Sequence, residues 1–479
     1  VTRLVVISNR LPVAREADPG GEPEVPAGGL ASALVGALRR SPGSLWLGWS
    51  GRVVEPGHAR RARRQELPGF DLLGFPLTDR EVADYYHGYC NGALWPLLHS
   101  FPGKARVRLR HEACYREVQS LFAETALPHL GGRDLVWVHD YHLLHLGREL
   151  RRRGWRGRTG FFLHTPFPSY DLWQILPDPR DTLLALLEYD LVGFHVPGFL
   201  ENYVSCARRE LGARWDGAVL TAAGRAQRAG VYPVGIDPRG FRPGPREGAG
   251  HERGKMLRSV VRGRRLILGV DRLDYTKGIP ERILALERLL TRHPEWRRKV
   301  VYVQIASPSR TEVPAYLRQR RRVEALMGRV NGELGEHDWT PIRYLFRSYG
   351  RDFLAKLYRA ADIGLVTPLR DGMNLVAKEY VAAQAPESPG VLVLSRCAGA
   401  AEELREAVIV NPYVPADVAE GMHRALSMPI EERRSRQAAL LARVMKGTAA
   451  EWSRRFLADL EGAPRRHALT AAGRITELS

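Results

Sequence analysis

Cysteine is scarce, with four in 479 residues (Cys90, Cys114, Cys206 and Cys397) and no Cys-x-x-Cys pair among them. That spacing supports neither a disulfide framework nor a cysteine-ligated zinc site, and it fits a reducing cytoplasm. No apolar run approaches the roughly 18 to 20 residues needed to cross a bilayer. The opening segment from Val1 to Ser8 reads as a short strand rather than a secretory signal. A short-period repeat is missing, and so is any Gly-x-x-x-x-Gly-Lys-Ser/Thr loop, which argues against P-loop ATPase chemistry. Lysine is rare as well: seven of the 72 basic residues, so the net charge of +19 is carried almost wholly by arginine. A positive field of this size suits anionic substrates or a polyanion, and it also follows from a plain arginine bias. The arginine clusters at 60–64, 151–153 and 318–322 lack interleaved aromatics, so they read as solvated faces and not as a nucleic-acid surface.

What remains is a soluble composition, 44% hydrophobic and 26% charged, with length enough for two or three domains. Apolar runs alternate with longer helical stretches, the pattern of an α/β protein with parallel sheets. Strands are expected at Leu4 to Ser8, Leu135 to His139 and Gly160 to His164, with a packed helix from Leu30 to Leu38. A second series is expected at Leu266 to Val270, Val300 to Ile305, Ile363 to Val366 and Val391 to Leu394. Between the two lies a Gly-, Pro- and Arg-rich stretch, 238–264, with the composition of a linker or exposed loop. The expected domains are therefore 1–237 and 238–448, with 449–479 forming an amphipathic helix (Trp452, Phe456, Leu457, Leu460) and a polar tail. Open α/β sheets bind ligands at the carboxyl ends of their strands, and two such domains leave a cleft between those ends.

Those strand ends carry reactive groups. Asn9 and Arg10 follow the first strand, and Gly28-Gly29 leads into the helix, where backbone N–H groups can approach an anion. Asp140 and His164 end two neighbouring strands and suit sugar hydroxyls. His139, His142 and His145 raise a metal reading, but His139-x-x-His142 lacks the glutamate of the zinc-protease helix. In the second domain Arg272 and Lys277 sit five residues apart after a strand, a fork and a point charge suited to a diphosphate. After Ile363 to Val366, a turn with Asp371 and Gly372 opens a helix, so the backbone N–H groups of Met373, Asn374 and Leu375 face an incoming phosphate. Glu379 lies one to two turns further on, within reach of a ribose.

Seven motifs in order resemble the trehalose-6-phosphate synthase family of retaining glycosyltransferases. They are Ser8-Asn9-Arg10, Ala27-Gly28-Gly29-Leu30, Leu45 to Gly51, Val138 to Leu144, Phe162 to Pro168, Arg272 to Gly278 and Thr367 to Gln384. The resemblance implies a GT-B fold, with two Rossmann-like domains facing a central cleft and a C-terminal helix crossing back to the first. It implies transfer of glucose from a nucleotide-glucose to glucose 6-phosphate. By that resemblance Gly29, Arg272 and Lys277 hold the donor's phosphates. Asp371, Gly372, Met373, Asn374 and Leu375 hold its glucose and diphosphate, and Glu379 holds its ribose. Tyr349 lies by the base, where UDP-, GDP- and ADP-glucose are not separated. His164 contacts the donor glucose and Asp140 the acceptor glucose. Arg10, Trp49, Tyr86, Trp95 and Arg310 bind glucose 6-phosphate. Asp140, His164, Arg272, Lys277 and Asp371 form the catalytic set. No metal or other cofactor, nucleic acid or membrane is expected as a partner, and a homo-oligomer is compatible with the reading. Relatives that use another acceptor are the alternative: a glucosylglycerol-phosphate synthase or a cyclitol-coupling pseudo-glycosyltransferase.

Overall fold

The computed structural model describes residues 2–12, 29–58, 60–242, 261, 263–310 and 313–464. Gly28 and most of the expected linker lie outside the described residues. Two compact units emerge, one from the chain up to Val234 together with the segment from Ala449, the other Gly235–Thr448. The division thus falls before Asp237. Gly235 belongs with the second unit because Gly447 lies against it: a Cβ there would stand 1.9 Å from the Gly447 carbonyl oxygen.

The first unit is built on strands β1 (Leu4–Arg10), β2 (Ser44–Val54), β3 (Arg63–Leu67), β4 (Phe70–Thr78), β5 (Leu135–His139), β6 (Arg158–Phe162), β7 (Leu191–Phe194), β8 (Arg214–Trp215), β9 (Val219–Ala222) and β10 (Arg225–Val231). They form one sheet in the order β3-β4-β2-β1-β5-β6-β7-β10-β9-β8. From β4 to β10 every pairing is parallel, while β3 and the β8–β9–β10 meander are antiparallel edges. Chain order reverses between β1 and β5, and such switch points are where open sheets bind ligands. The strand expected at Gly160 to His164 runs instead over Arg158–Phe162, so His164 stands beyond the strand end. The packed helix begins one residue earlier than expected and spans Gly29–Leu38.

The second unit holds β11 (Arg265–Arg272), β12 (Val300–Ser307), β13 (Ile342–Leu345), β14 (Ile363–Val366), β15 (Val391–Ser395) and β16 (Val408–Val410). All pair in parallel in the order β13-β12-β11-β14-β15-β16, the doubly wound arrangement, with its switch point between β11 and β14. The central strands are buried on both faces, which is why they read as unbroken apolar runs.

The C-terminal helix Ala449–Glu461 completes the first unit. Phe456 stacks on Trp137 of β5 (centroids 4.7 Å apart, 13°), and Trp452 meets Trp137 and Phe162 at 4.8 and 5.1 Å. Gly160 and Gly193 make the room: a Cβ at either would come 2.8 Å from the Phe456 ring. Among the described residues no helix is long and apolar enough to cross a membrane.

Candidate active site

In the first unit the expected residues gather at the carboxyl edge of the sheet. Arg10 ends β1 and pairs in register with Trp49 of β2, and its guanidinium lies 5.2 Å from the centre of the Trp49 indole. Gly51, at φ +83°, leaves space for that guanidinium, since a Cβ there would stand 2.8 Å from Arg10 Nη2. Trp49 meets Tyr86 (5.8 Å), Tyr86 stacks on His142 (6.0 Å, 18°), His142 lies on Tyr141 (3.9 Å), and Tyr141 meets Trp95 (5.7 Å). One aromatic wall therefore joins all three expected aromatics to the loop after β5.

Sequence patterning missed the element that carries Tyr86. Val82–Leu94 is a π-helix, closed by the Trp95 N–H donating to the Cys90 carbonyl five residues back. Such widened turns are rare and cluster at functional sites. Arg110 and His111 of the following helix, Leu109–Ala126, face Asp84 of the π-helix at 3.7 and 3.3 Å.

Asp140 adopts φ +75°, an uncommon backbone for a non-glycine residue. That turn aims its Oδ1 at the backbone N–H of His164, 3.2 Å away. Asp140 and His164 thus stand side by side. Burial first, then the neighbouring His195, pushes the His164 imidazole well below the usual histidine range. Gly29 is the first residue of its helix, at the helix N-terminus.

The second unit assembles its own set at the β11/β14 switch point. Lys277 Nζ bonds Asp371 Oδ2 at 2.5 Å, and Asn374 Nδ2 donates to the same oxygen at 3.1 Å. The two loops interlock: Leu369 N–H donates to the Thr276 carbonyl (2.8 Å), and Gly278, at φ +68°, packs against the Thr367 carbonyl. Asn374, at φ +78°, caps the helix Leu375–Ala383. The backbone N–H groups of Met373, Asn374 and Leu375 donate to no backbone acceptor among the described residues outside regular elements. That is the geometry of an anion site at a helix start. Arg272 ends β11, exposed.

Two residues that hold this arrangement were not singled out in the sequence. Arg282, fully buried, pairs with Asp271 and donates to Thr367 Oγ1 and to the Lys277 carbonyl, both at 2.9 Å, tying both loops to β11. Asp274, 0% exposed, accepts from the Thr276 N–H (3.0 Å), the Tyr316 hydroxyl (2.9 Å) and Arg310 Nη1 (3.2 Å). Burial alone would push Asp274 up, but Arg310, Arg272 and Lys277 outweigh it and hold the carboxyl at about 2. The expected phosphate ligand Arg310 is therefore anchored on Asp274 and Tyr316, and its backbone stands at φ +48°.

Glu379 receives the Tyr358 hydroxyl at 3.2 Å, and burial raises its carboxyl to about 7 against the opposing pull of that bond and of Arg351. Tyr349 stacks on Phe353 (4.3 Å, 9°), with the Arg347 guanidinium 5.1 Å from its ring centre. It stands just before the helix Arg351–Ala360, which carries Tyr358.

Among the described residues, His293, Glu295 and His423 form a group with metal-ligand spacing, at the opposite end of the helix Ile279–Arg292 from Gly278. Its imidazoles stack face to face (3.7 Å, 9°), so no point within bonding distance lies in both ring planes, and Trp296 Nε1 donates to His423 Nδ1 at 3.1 Å.

The sequence pattern of glycosyltransferase family 20 matches residues 2–462. A trehalose-6-phosphate synthase of Sinorhizobium fredii is 45% identical over 461 residues, covering 96% of this chain and 98% of the relative. Two solved structures superpose with covers of 96% of this chain. One is an α,α-trehalose-phosphate synthase (UDP-forming) from Burkholderia xenovorans in complex with glucose 6-phosphate, at TM-score 0.89, 39% identity and 100% of that chain. The other, from Escherichia coli and bound with UDP-2-fluoro glucose, gives TM-score 0.88, 40% identity and 99% of that chain. The fold is GT-B. On pattern, identity and structure together, the chain belongs to glycosyltransferase family 20.

Proposed function

We propose that the chain transfers glucose from a nucleotide-glucose to glucose 6-phosphate with retention, forming trehalose 6-phosphate and a nucleoside diphosphate. The observation that carries this reading is the switch-point cluster: Lys277 and Asp371 joined at 2.5 Å, beside Arg272 and the helix start at Met373 to Leu375. A leaving diphosphate gathers negative charge as the glycosidic bond breaks. Arg272, Lys277 and the oriented N–H groups stabilise that charge without reorganising, which lowers the barrier. These cations meet the charge of the leaving group, so the reading assigns no metal to the step. Asp371 and Asn374 take the sugar hydroxyls, Glu379 the ribose and Tyr349 the base, with Gly29 contributing its helix N-terminus. UDP is the favoured nucleotide, because the relatives described above are UDP-forming or bind a UDP-sugar.

Arg10, Trp49, Tyr86 and Trp95 offer a cation and aromatic faces to glucose 6-phosphate, and Arg310 adds a planar fork for its phosphate. Asp140 takes the acceptor sugar and His164 the donor sugar. Retention without a covalent intermediate fits the carboxylates here: Asp371 is engaged by Lys277 and Asn374, and Asp140 by the His164 N–H. Neither is left in the role of the second carboxylate of a retaining glycosidase.

The test crosses UDP-, GDP- and ADP-glucose with glucose 6-phosphate and glycerol 3-phosphate, with products identified by mass spectrometry and NMR linkage analysis. An α,α-1,1-linked trehalose 6-phosphate is expected, fastest with UDP-glucose. Product from glycerol 3-phosphate alone, or from no pair, overturns the reading.

A further inference from the structure

His139, the last residue of β5, is 1% exposed and has no role in the reaction described above. Its Nδ1 lies 3.1 Å from Nε2 of His164, with the two rings 21° from parallel. One hydrogen is shared across that contact, so one nitrogen donates and the other accepts. Burial pushes both imidazoles well below the usual histidine range, so each is neutral and carries a single hydrogen.

The surroundings decide where that hydrogen sits. Among the described residues His139 Nε2 is buried with no hydrogen-bond partner. The indoles of Trp137 and Trp452 lie 4.6 and 6.3 Å from the His139 ring, and their own N–H groups are buried without acceptors among the described residues. A hydrogen on His139 Nε2 would add a third stranded donor to a pocket with no acceptor for it, and orphaned buried N–H groups are the rarer kind. The hydrogen therefore belongs on His139 Nδ1, donated to His164 Nε2. Neutral His164 must then carry its own hydrogen on Nδ1, which has no partner among the described residues. Trp452, 6.0 Å from the His164 ring, walls the pair with the C-terminal helix.

We propose that His139 is a positioning residue that fixes His164 in its Nδ1–H form, so that His164 offers a constant neutral hydrogen-bond donor to a hydroxyl of the donor sugar. This rests on the placement of His164 at the donor glucose under Proposed function. In the opposite tautomer His164 Nδ1 would present a lone pair, and the sugar hydroxyl would have to supply the hydrogen.

Two variants separate donation from packing. His139→Leu keeps an apolar side chain without the donor, whereas His139→Asn keeps an N–H near the position of Nδ1. His139→Leu is expected to lower kcat/KM for UDP-glucose about tenfold, with KM for glucose 6-phosphate within about twofold, and His139→Asn to recover to within about threefold of the parent. In enzyme labelled with 15N-histidine, His164 should show the Nδ1–H pattern in the parent and in His139→Asn, and lose it in His139→Leu. An Nε2–H pattern in the parent overturns the proposal. So does a loss in His139→Leu that His139→Asn does not relieve while the tautomer stays unchanged, for that is packing alone. His164→Ala tells the two readings apart. Near-normal donor kinetics there removes His164 from the sugar, whereas a loss there with none in His139→Leu removes only His139.

Discussion

Glu379 makes donor binding a function of pH. Its carboxyl is raised to about 7, first by burial and against the Tyr358 hydroxyl bond and the charge of Arg351. A raised acid is ionised only as pH climbs through that value. A ribose hydroxyl donates to a carboxylate more strongly than to a protonated acid, so affinity is gained on the alkaline side. One unit below the midpoint about one molecule in ten is ionised, and one unit above it about nine in ten. If only the carboxylate form binds, the dissociation constant for UDP-glucose falls about tenfold between about pH 6 and about pH 8. UDP-glucose is a diphosphate diester and does not titrate in this window, so calorimetry with donor alone reads the enzyme's group. Binding should also release close to one proton at about pH 6 and almost none at about pH 8, seen by comparing buffers of different ionisation enthalpy. Tyr358→Phe removes a bond that lowers the carboxyl and should move the midpoint upward, while Glu379→Gln should erase the step. A flat profile in the parent, or a step that survives in Glu379→Gln, refutes the reasoning.

Asp371→Ala should cut kcat by about a hundred- to a thousandfold while circular dichroism stays unchanged; near-normal turnover would remove Asp371 from the reacting sugar. Arg310→Lys keeps a charge beside buried Asp274 but loses the planar fork, so KM for glucose 6-phosphate should rise about tenfold and KM for UDP-glucose by less than about threefold. An equal rise in both would argue against a phosphate clamp. Phe456→Ala should destabilise the first unit by about 3–5 kcal/mol, because the ring is fully buried against Trp137, Phe162 and Tyr232. In denaturant, a loss shared equally by probes in both units would show that the helix stabilises more than its own unit.

The strands of the second unit were legible because both of their faces are buried, so apolar run and strand coincide from Ile363 to Val366 and nearly so from Val391 to Ser395. Site residues at strand ends followed from the same logic: Arg272, Lys277 and Asp371 stand at the switch point. Features that depend on residues far apart in the chain were not legible. Asp274 reads as one acid in a polar loop, and only the fold brings Arg310 and Tyr316 onto it. The π-helix at Val82–Leu94 escaped because its wider turns do not follow the 3.6-residue apolar period by which helices are recognised. Gly160 and Gly193 look like weak points in two strands, yet they are the space that Phe456 fills.

The helix Ala449–Glu461 also sets a timetable for synthesis. The strands it covers are made first, but the helix reaches the ribosome exit only after the whole second unit, roughly three hundred residues after β5 and β6. At about 5–20 residues per second, the indole of Trp137 and the ring of Phe162 wait on the order of 15–60 seconds for their cover. As that interval closes the second unit has every residue it needs, while the first does not. A chain that stalls or is cut at the Thr448–Ala449 boundary therefore presents the quality-control machinery with a finished second unit tethered to a first unit whose aromatic face is bare.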